Sequence, residues 1–291
     1  MAFIKEHYDC VARETRDERR KSRVIRLRQL NNMVKQCLLS ELIGGAGDHK
    51  ASNIKVLDLA CGRGGDIFKL EGLGVRNYVG VDFSPERIKE AEERARALRS
   101  MAAKFVEHDC FSSSLPQDVT AEGPYDACSC QLAIHYAACD EATARTALEN
   151  ISASLKPGGL FVGTTVDSRV VLEKLKRVAG NTELSNSVYK LALKQPVKEE
   201  LVFGNEYNFA LEGVVNDCPE YLVFFDAWEK LAREYGLKLV MHANFKEFAW
   251  KHRLGRKMGE LTGAEKEVFP LYCVFAFEKL PCMSRNKKLK R

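Results

Sequence analysis

The chain has 291 residues, 45% of them hydrophobic and 29% charged. That is the balance of a globular domain with a sizeable core, and the length suits one α/β enzyme with insertions. No apolar run approaches ~18 residues, so no membrane contact through a spanning helix is expected, and Met1 to His7 turn polar at once without a secretory h-region.

The formal net charge of +5 is unevenly spread. Residues 13–28 hold eight basic and three acidic side chains, and residues 282–291 hold five basic ones and no acid. The body between them is therefore mildly acidic. Two basic ends point to contact with a polyanion; a solvated helix face and a loose tail are the plainer reading. Ten cysteines occur with no C-x-x-C pair, so neither a disulfide framework nor a zinc site is expected.

In chain order, residues 22–43 read as a helix, with Leu27, Leu30, Val34, Leu38 and Leu42 at helical spacing, ended by the glycines from Gly44. Residues 54–59 form a short apolar strand followed by a glycine-rich turn. A second strand runs over 78–81 and closes on Asp82. Ser84 and Pro85 open a helix reaching about residue 99. Strands follow at 104–108 and 125–130, then a helix over 141–155 that stops at Lys156-Pro157-Gly158-Gly159, and a strand over 160–165. This alternation predicts a parallel sheet with helices on both faces. The pattern breaks at 180–222, where short strand-like pieces read as an insertion or lid. Helix returns at 224–235 and strand at 237–241; residues 246–268 are mainly helical and charged, and 272–277 is a last apolar strand.

The strongest motif is Val56-Leu57-Asp58-Leu59-Ala60-Cys61-Gly62-Arg63-Gly64-Gly65-Asp66. A strand ends in a small-residue turn that opens a helix, the place where doubly wound sheets bind ligands. The dinucleotide fingerprint fails because Gly64 is followed three residues later by Ile67, and the P-loop pattern fails too. The turn instead resembles the D-x-G-x-G-x-G turn of S-adenosylmethionine-dependent methyltransferases. Asp82 and Asp109, each closing a later strand, suit ribose hydroxyls and an adenine amino group, and Asp58 suits the cationic methionine end. Ala60 departs from the glycine usual there; it restricts positive φ but adds only a methyl group.

Further segments narrow the resemblance. Leu30-Asn31-Asn32-Met33-Val34-Lys35, Ser129 to Tyr136, Leu211-Glu212-Gly213-Val214-Val215, Pro219-Glu220-Tyr221 and Leu271 to Lys279, with His7-Tyr8, look like the eukaryotic mRNA cap guanine-N7 methyltransferase family over about residues 7–280. The resemblance implies a class I-like fold: a doubly wound, mostly parallel seven-stranded sheet with an N-terminal basic helical arm (1–50), a cofactor core (51–167), a lid insertion (168–222), a C-terminal part of the core (223–280) and a basic tail (281–291). It implies S-adenosylmethionine as cofactor, bound by Lys35, Asp58, Ala60, Gly62, Asp82, Asp109, Gln131 and Tyr136. It places Asn31, Asn32, Arg63, Lys69, Arg94, His135, Glu220 and Tyr272 on the cap, with Tyr136, His135 and Glu220 positioning the guanine. The family's proline after the fifth strand is Val166 here.

The chemistry asks for no acid–base residue and no metal. Guanine N7 attacks with a free lone pair and a sulfonium methyl is already electrophilic, so holding the reactants in line supplies the catalysis, with proximity worth ~7–11 kcal/mol. Capped RNA is the implied partner, with capping or transcription machinery as a further contact, and the nucleus the expected location. Two rival readings remain: a methyltransferase of another small substrate, and a catalytically dead, RNA-binding regulatory subunit.

Overall fold

The computed structural model describes residues 21–44, 53–178, 180, 182–197 and 201–281. His7, Tyr8, residues 13–20 of the basic 13–28 segment and residues 282–291 of the tail lie outside the described residues. The first described helix, α1, spans Ile25–Leu42. It has no side-chain N-cap and is held by tertiary packing: Leu27, Leu30, Val34 and Leu38 are buried. Burial of each contributes roughly 1.5–3 kcal/mol. Its first turn is also tied to the far end of the chain, because the Leu27 N–H donates to the buried Glu265 carboxylate at 2.9 Å.

Strands and helices then alternate: β1 (Ile54–Leu59), α2 (Ile67–Gly72), β2 (Val75–Asp82), α3 (Pro85–Ala95), β3 (Ala102–Glu107), α4 (Gln117–Thr120), β4 (Tyr125–Gln131), α5 (Glu141–Ser154), β5 (Leu155–Val166) and α6 (Ser168–Leu175). α3 starts where the sequence predicts, with Ser84 Oγ accepting from the Arg87 N–H and Pro85 in the first turn. The Lys156-Pro157-Gly158-Gly159 stop is not a loop. It lies within β5 as an irregularity, with Tyr125 opposite Leu155 but Ala127 opposite Leu160.

Four short antiparallel strands follow: β6 (Glu183–Ser185), β7 (Tyr189–Leu193), β8 (Glu206–Leu211) and β9 (Val215–Tyr221). The chain then returns through α7 (Phe225–Glu234) and β10 (Leu237–Asn244). The stretch predicted as helical beyond 246 is three short helices, α8 (Phe245–Lys251), α9 (Gly255–Gly259) and α10 (Gly263–Val268), before β11 (Tyr272–Lys279).

The main sheet has seven strands in the order β10-β11-β5-β4-β1-β2-β3. β1 to β5 pair in parallel, and only β11 runs antiparallel to its neighbours β5 and β10. The carboxyl ends of β1, β2 and β4 therefore share one edge with the first residue of β11. One apolar cluster joins α1, the four-stranded sheet, the end of β5 and the start of β11 through Leu30, Val34, Leu191, Tyr207, Val166 and Tyr272. That cluster seats α1 and the small sheet over the carboxyl edge. No described helix is long and apolar enough to cross a membrane.

Candidate active site

A cleft of about 340 Å³ opens at the carboxyl edge and is lined by Lys35, Asp58, Ala60, Gly62, Asp82, Asp109, Gln131 and Tyr136. All eight residues expected to bind the cofactor thus meet in one place, delivered by α1, β1, β2, the segment after β3, β4 and the turn after it. Arg63 and Arg94 line the same cleft. So do Arg28, which the helical spacing puts in a polar strip with Asn31 and Lys35, and Asp66, Phe83, Arg87 and His108, to which the sequence alone assigned no role.

The turn after β1 is built by unusual backbone. Ala60, Gly62 and Gly64 have φ of 54°, 54° and 63°. Glycine tolerates this left-handed region, but alanine pays about 1–2 kcal/mol for it. Asp82 clamps the turn from the neighbouring strand, its carboxylate accepting from the Gly62 N–H at 2.8 Å and the Ser84 N–H at 3.0 Å. Asp109 likewise accepts from the N–H groups of Phe111 and Ser112, at 3.1 and 3.2 Å. Both acids therefore hold their own loops as well as facing the cleft. Gln131 is oriented by Ser129 and Thr164.

Charge in the cleft is ordered around Asp66. It receives Lys35 Nζ at 2.8 Å and Lys69 Nζ at 2.6 Å. Burial pushes the Asp66 carboxyl up, but the two ammonium groups outweigh it and hold it down at about 2. Asp58 is as deeply buried and has no such contact; burial and the nearby Asp66 charge raise it to about 7, against hydrogen bonds from Tyr78 and Ser129. Arg63 pairs with Glu90 at 3.3 Å, and Arg94 donates to the Gly64 carbonyl at 3.3 Å. Asn32 accepts from Lys69 at 3.3 Å, while the buried Asn31 Oδ1 has no hydrogen-bond partner.

The remaining expected cap residues form a second group. His135, Glu220 and Tyr272 are at most 5% exposed and come from the turn after β4, from β9 and from the start of β11. His135 Nε2 stands 3.7 Å from Glu220 Oε1, too far for a hydrogen bond. Burial lowers the imidazole to about 3 and raises the Glu220 carboxyl to about 7, so the contact is not an ion pair. Sequence reasoning missed Tyr207, whose hydroxyl donates to Glu220 Oε2 at 2.6 Å. Its only sequence signal is its place on the apolar face of β8 with Phe209 and Leu211; the cross-strand pairing with Glu220 is visible only in the fold. Tyr136 joins the groups: it lines the cleft, and its ring meets His135 edge-on at 4.2 Å.

One further set of ligand-type atoms, from Asp167, His242 and Cys273, lies within 4.8 Å. Its carboxylate is already neutralised by Arg169 at 3.2 Å.

This sheet order, with a glycine turn and strand-end acids around a cleft, defines a class I S-adenosylmethionine-dependent methyltransferase fold. A methyltransferase of that dependence from Clostridium acetobutylicum superposes with a TM-score of 0.52 at 17% identity, covering 88% of this chain and 92% of that one. Residues 1–280 match the family described as the mRNA (guanine-N(7))-methyltransferase domain, and the chain belongs to that family. The mRNA cap guanine-N(7) methyltransferase 1 of Oryza sativa subsp. japonica is 36% identical over 306 residues, covering 95% of this chain and 80% of that protein. Its namesake from Arabidopsis thaliana is 37% identical over 279 residues, covering 89% and 73%.

Proposed function

We propose that this protein transfers the methyl group of S-adenosylmethionine to N7 of the 5′ guanosine cap of RNA, giving the m7G cap. The donor set fits the cofactor. Its cleft falls in the size range of small-molecule sites and is lined by a cation and a buried carboxyl (Lys35, Asp58) as well as strand-end acids (Asp82, Asp109). When bound, S-adenosylmethionine supplies an electrophilic methyl group. Lys35 would hold its carboxylate, Asp82 its ribose and Asp109 its adenine amino group, with Ala60 and Gly62 offering a backbone of little bulk.

Glu220, as a carboxylate, accepts from guanine N1–H and N2–H, a donor pair that adenine lacks. Sites built on such hydrogen bonds discriminate strongly. Tyr207 fixes the carboxylate from behind. His135 stays neutral and does not compete as a cation. Tyr136 and Tyr272 give aromatic faces to a base that becomes cationic as it is methylated, at ~0.5–2 kcal/mol per contact. Asn31, Asn32, Arg63, Lys69 and Arg94 serve the cap nucleoside and its phosphates. N7 needs no proton removed, so the reaction requires neither a general base nor a metal.

The observation that carries this reading is Tyr136, which borders the cofactor cleft on one side and packs on His135 of the guanine group on the other. His135, Glu220 and Tyr272 are buried, so a base that reaches them must displace side chains that now cover them. The reaction belongs on nascent transcripts, so we place the protein in the nucleus, beside capping or transcription machinery. Incubation with labelled cofactor and unmethylated capped RNA, then nuclease digestion, is expected to put the label on the terminal guanosine. Label on another small acceptor, or no cofactor binding, would favour the two rival readings respectively.

A further inference from the structure

α8 and α9 carry a surface for which methyl transfer to the cap has no use. Trp250 is 62% exposed, a degree unmatched by the other exposed large hydrophobic side chains among the described residues. The indole is not loose. A Cβ on Gly255 would stand 2.7 Å from the ring, so glycine at that position lets the indole lie against the backbone with its remaining surface open. Around it stand the exposed Lys246, Lys251, Arg253, Arg256 and Lys257. Lys246 and Trp250 are four residues apart and share a helix face.

Local acids neutralise only part of this cluster. Lys251 and His252 contact Glu41, and Lys257 contacts Glu260. Lys246, Arg253 and Arg256 have no ion-pair partner among the described residues. Arg253 also ends α8 at φ 59°, a conformation that favours glycine.

The surface adjoins the site through α1. Lys251 and His252 pair with Glu41 at one end of that helix, and Arg26 donates to the Glu260 carbonyl at 2.6 Å near the other. Arg28 and Lys35, between those points, line the cofactor cleft. Helical spacing puts Arg28 and Lys35 on the side of α1 opposite Arg26 and Glu41, so α1 lies between the cleft and this surface, and a strand that crosses the helix from the cleft meets it.

We propose that the Trp250 surface binds the single-stranded body of the RNA downstream of the cap, with a base stacked on the indole and phosphates on Lys246, Arg253 and Arg256. An open indole among unpaired cations is the combination by which proteins hold single strands without reading sequence. The cations alone would suit an acidic peptide equally, and the propped ring favours a nucleobase. The inference rests on capped RNA being the substrate.

The test compares the wild-type chain with Trp250→Ala, Trp250→Phe and the double variant Arg253→Gln, Arg256→Gln. The substrates are the dinucleotide GpppG and a capped RNA of roughly 16 nucleotides. Trp250→Ala and the double variant are expected to raise KM for the long RNA roughly tenfold, with kcat and GpppG turnover unchanged. Trp250→Phe is expected to restore most of the loss. The double variant should also flatten the slope of log affinity against log salt by about 1.4, at ~0.7 for each lost phosphate contact. Unchanged KM for the long RNA overturns the proposal, and so does a parallel loss of GpppG turnover, which would mark a structural role. Retention of a glutamate-rich peptide in place of RNA also overturns it. If the wild type methylates neither substrate, the functional reading fails separately, and binding of uncapped RNA to the same variants still decides the surface.

Discussion

Tyr207 and Glu220 face each other across the β8–β9 pair, and the phenolic hydroxyl donates to the carboxylate at 2.6 Å in a buried setting. Burial raises Glu220 to about 7 and this hydrogen bond pulls in the opposite direction. The carboxylate that reads guanine is therefore kept ionised partly by a neighbour that never needs to touch the substrate.

Tyr207→Phe tests that dependence. Hydrogen bonds to a charged group contribute about 1.5–3 kcal/mol, so kcat/KM for capped RNA is expected to fall roughly 10–100-fold. The sign of the pH effect is fixed. Activity needs the ionised form, so it is lost as pH falls through the Glu220 pKa of about 7. Removing the donor raises that pKa, and the acidic limb of the kcat/KM profile should move to higher pH. An unmoved limb would detach Tyr207 from Glu220.

The two halves of the site should separate under mutation. Glu220→Ala is expected to lower cap methylation roughly 10³-fold or more while leaving cofactor affinity in calorimetric titration nearly unchanged. Asp82→Ala should weaken cofactor binding. It should also cost stability, because the Gly62 and Ser84 N–H groups lose their acceptor, at about 1–3 kcal/mol for each donor left buried. Normal cofactor affinity in Asp82→Ala would remove the ribose assignment.

Ala60→Gly should stabilise the protein. Ala60 sits at φ 54°, and relief of that strain is worth about 1 kcal/mol, a rise in Tm of about 2 °C for a domain of this size. Cofactor affinity should hold or improve. A lower Tm would mean that the methyl group packs better than its backbone geometry allows for.

Asp58→Asn should show a pH-dependent gain in stability of the cofactor-free protein. Asp58 titrates near 7 when folded, against 3.8 as its ordinary value. Between those values the folded state binds the extra proton, so wild-type stability falls as pH rises through the window and levels off above it. The advantage of asparagine should therefore be full above about pH 7 and vanish towards pH 4 in thermal melts. Cofactor affinity should fall at the same time.

What the sequence made legible is what depends on local pattern. The strand–turn–helix at 54–72, the acids at successive strand ends and the Ser84 cap each follow from short-range rules, and the eight expected cofactor residues converge on one cleft. Less legible was whatever depends on pairing between distant segments. Tyr207 acquires its role only through register with Glu220. Asp66 closes the glycine motif, yet its bond to Lys35 spans 31 residues. Charge masked the breaks beyond 246: a left-handed Arg253 ends one helix, and a Thr262–Glu265 capping box starts another.

The bond between the Leu27 amide and Glu265 crosses 238 residues, and Tyr272 arrives on a strand inserted between β5 and β10. During synthesis, the front helix lacks this tie and the sheet keeps a gap beside β5 until residues 265–279 have been made. A chain that stops short of β11 therefore lacks Tyr272, and its guanine group is incomplete.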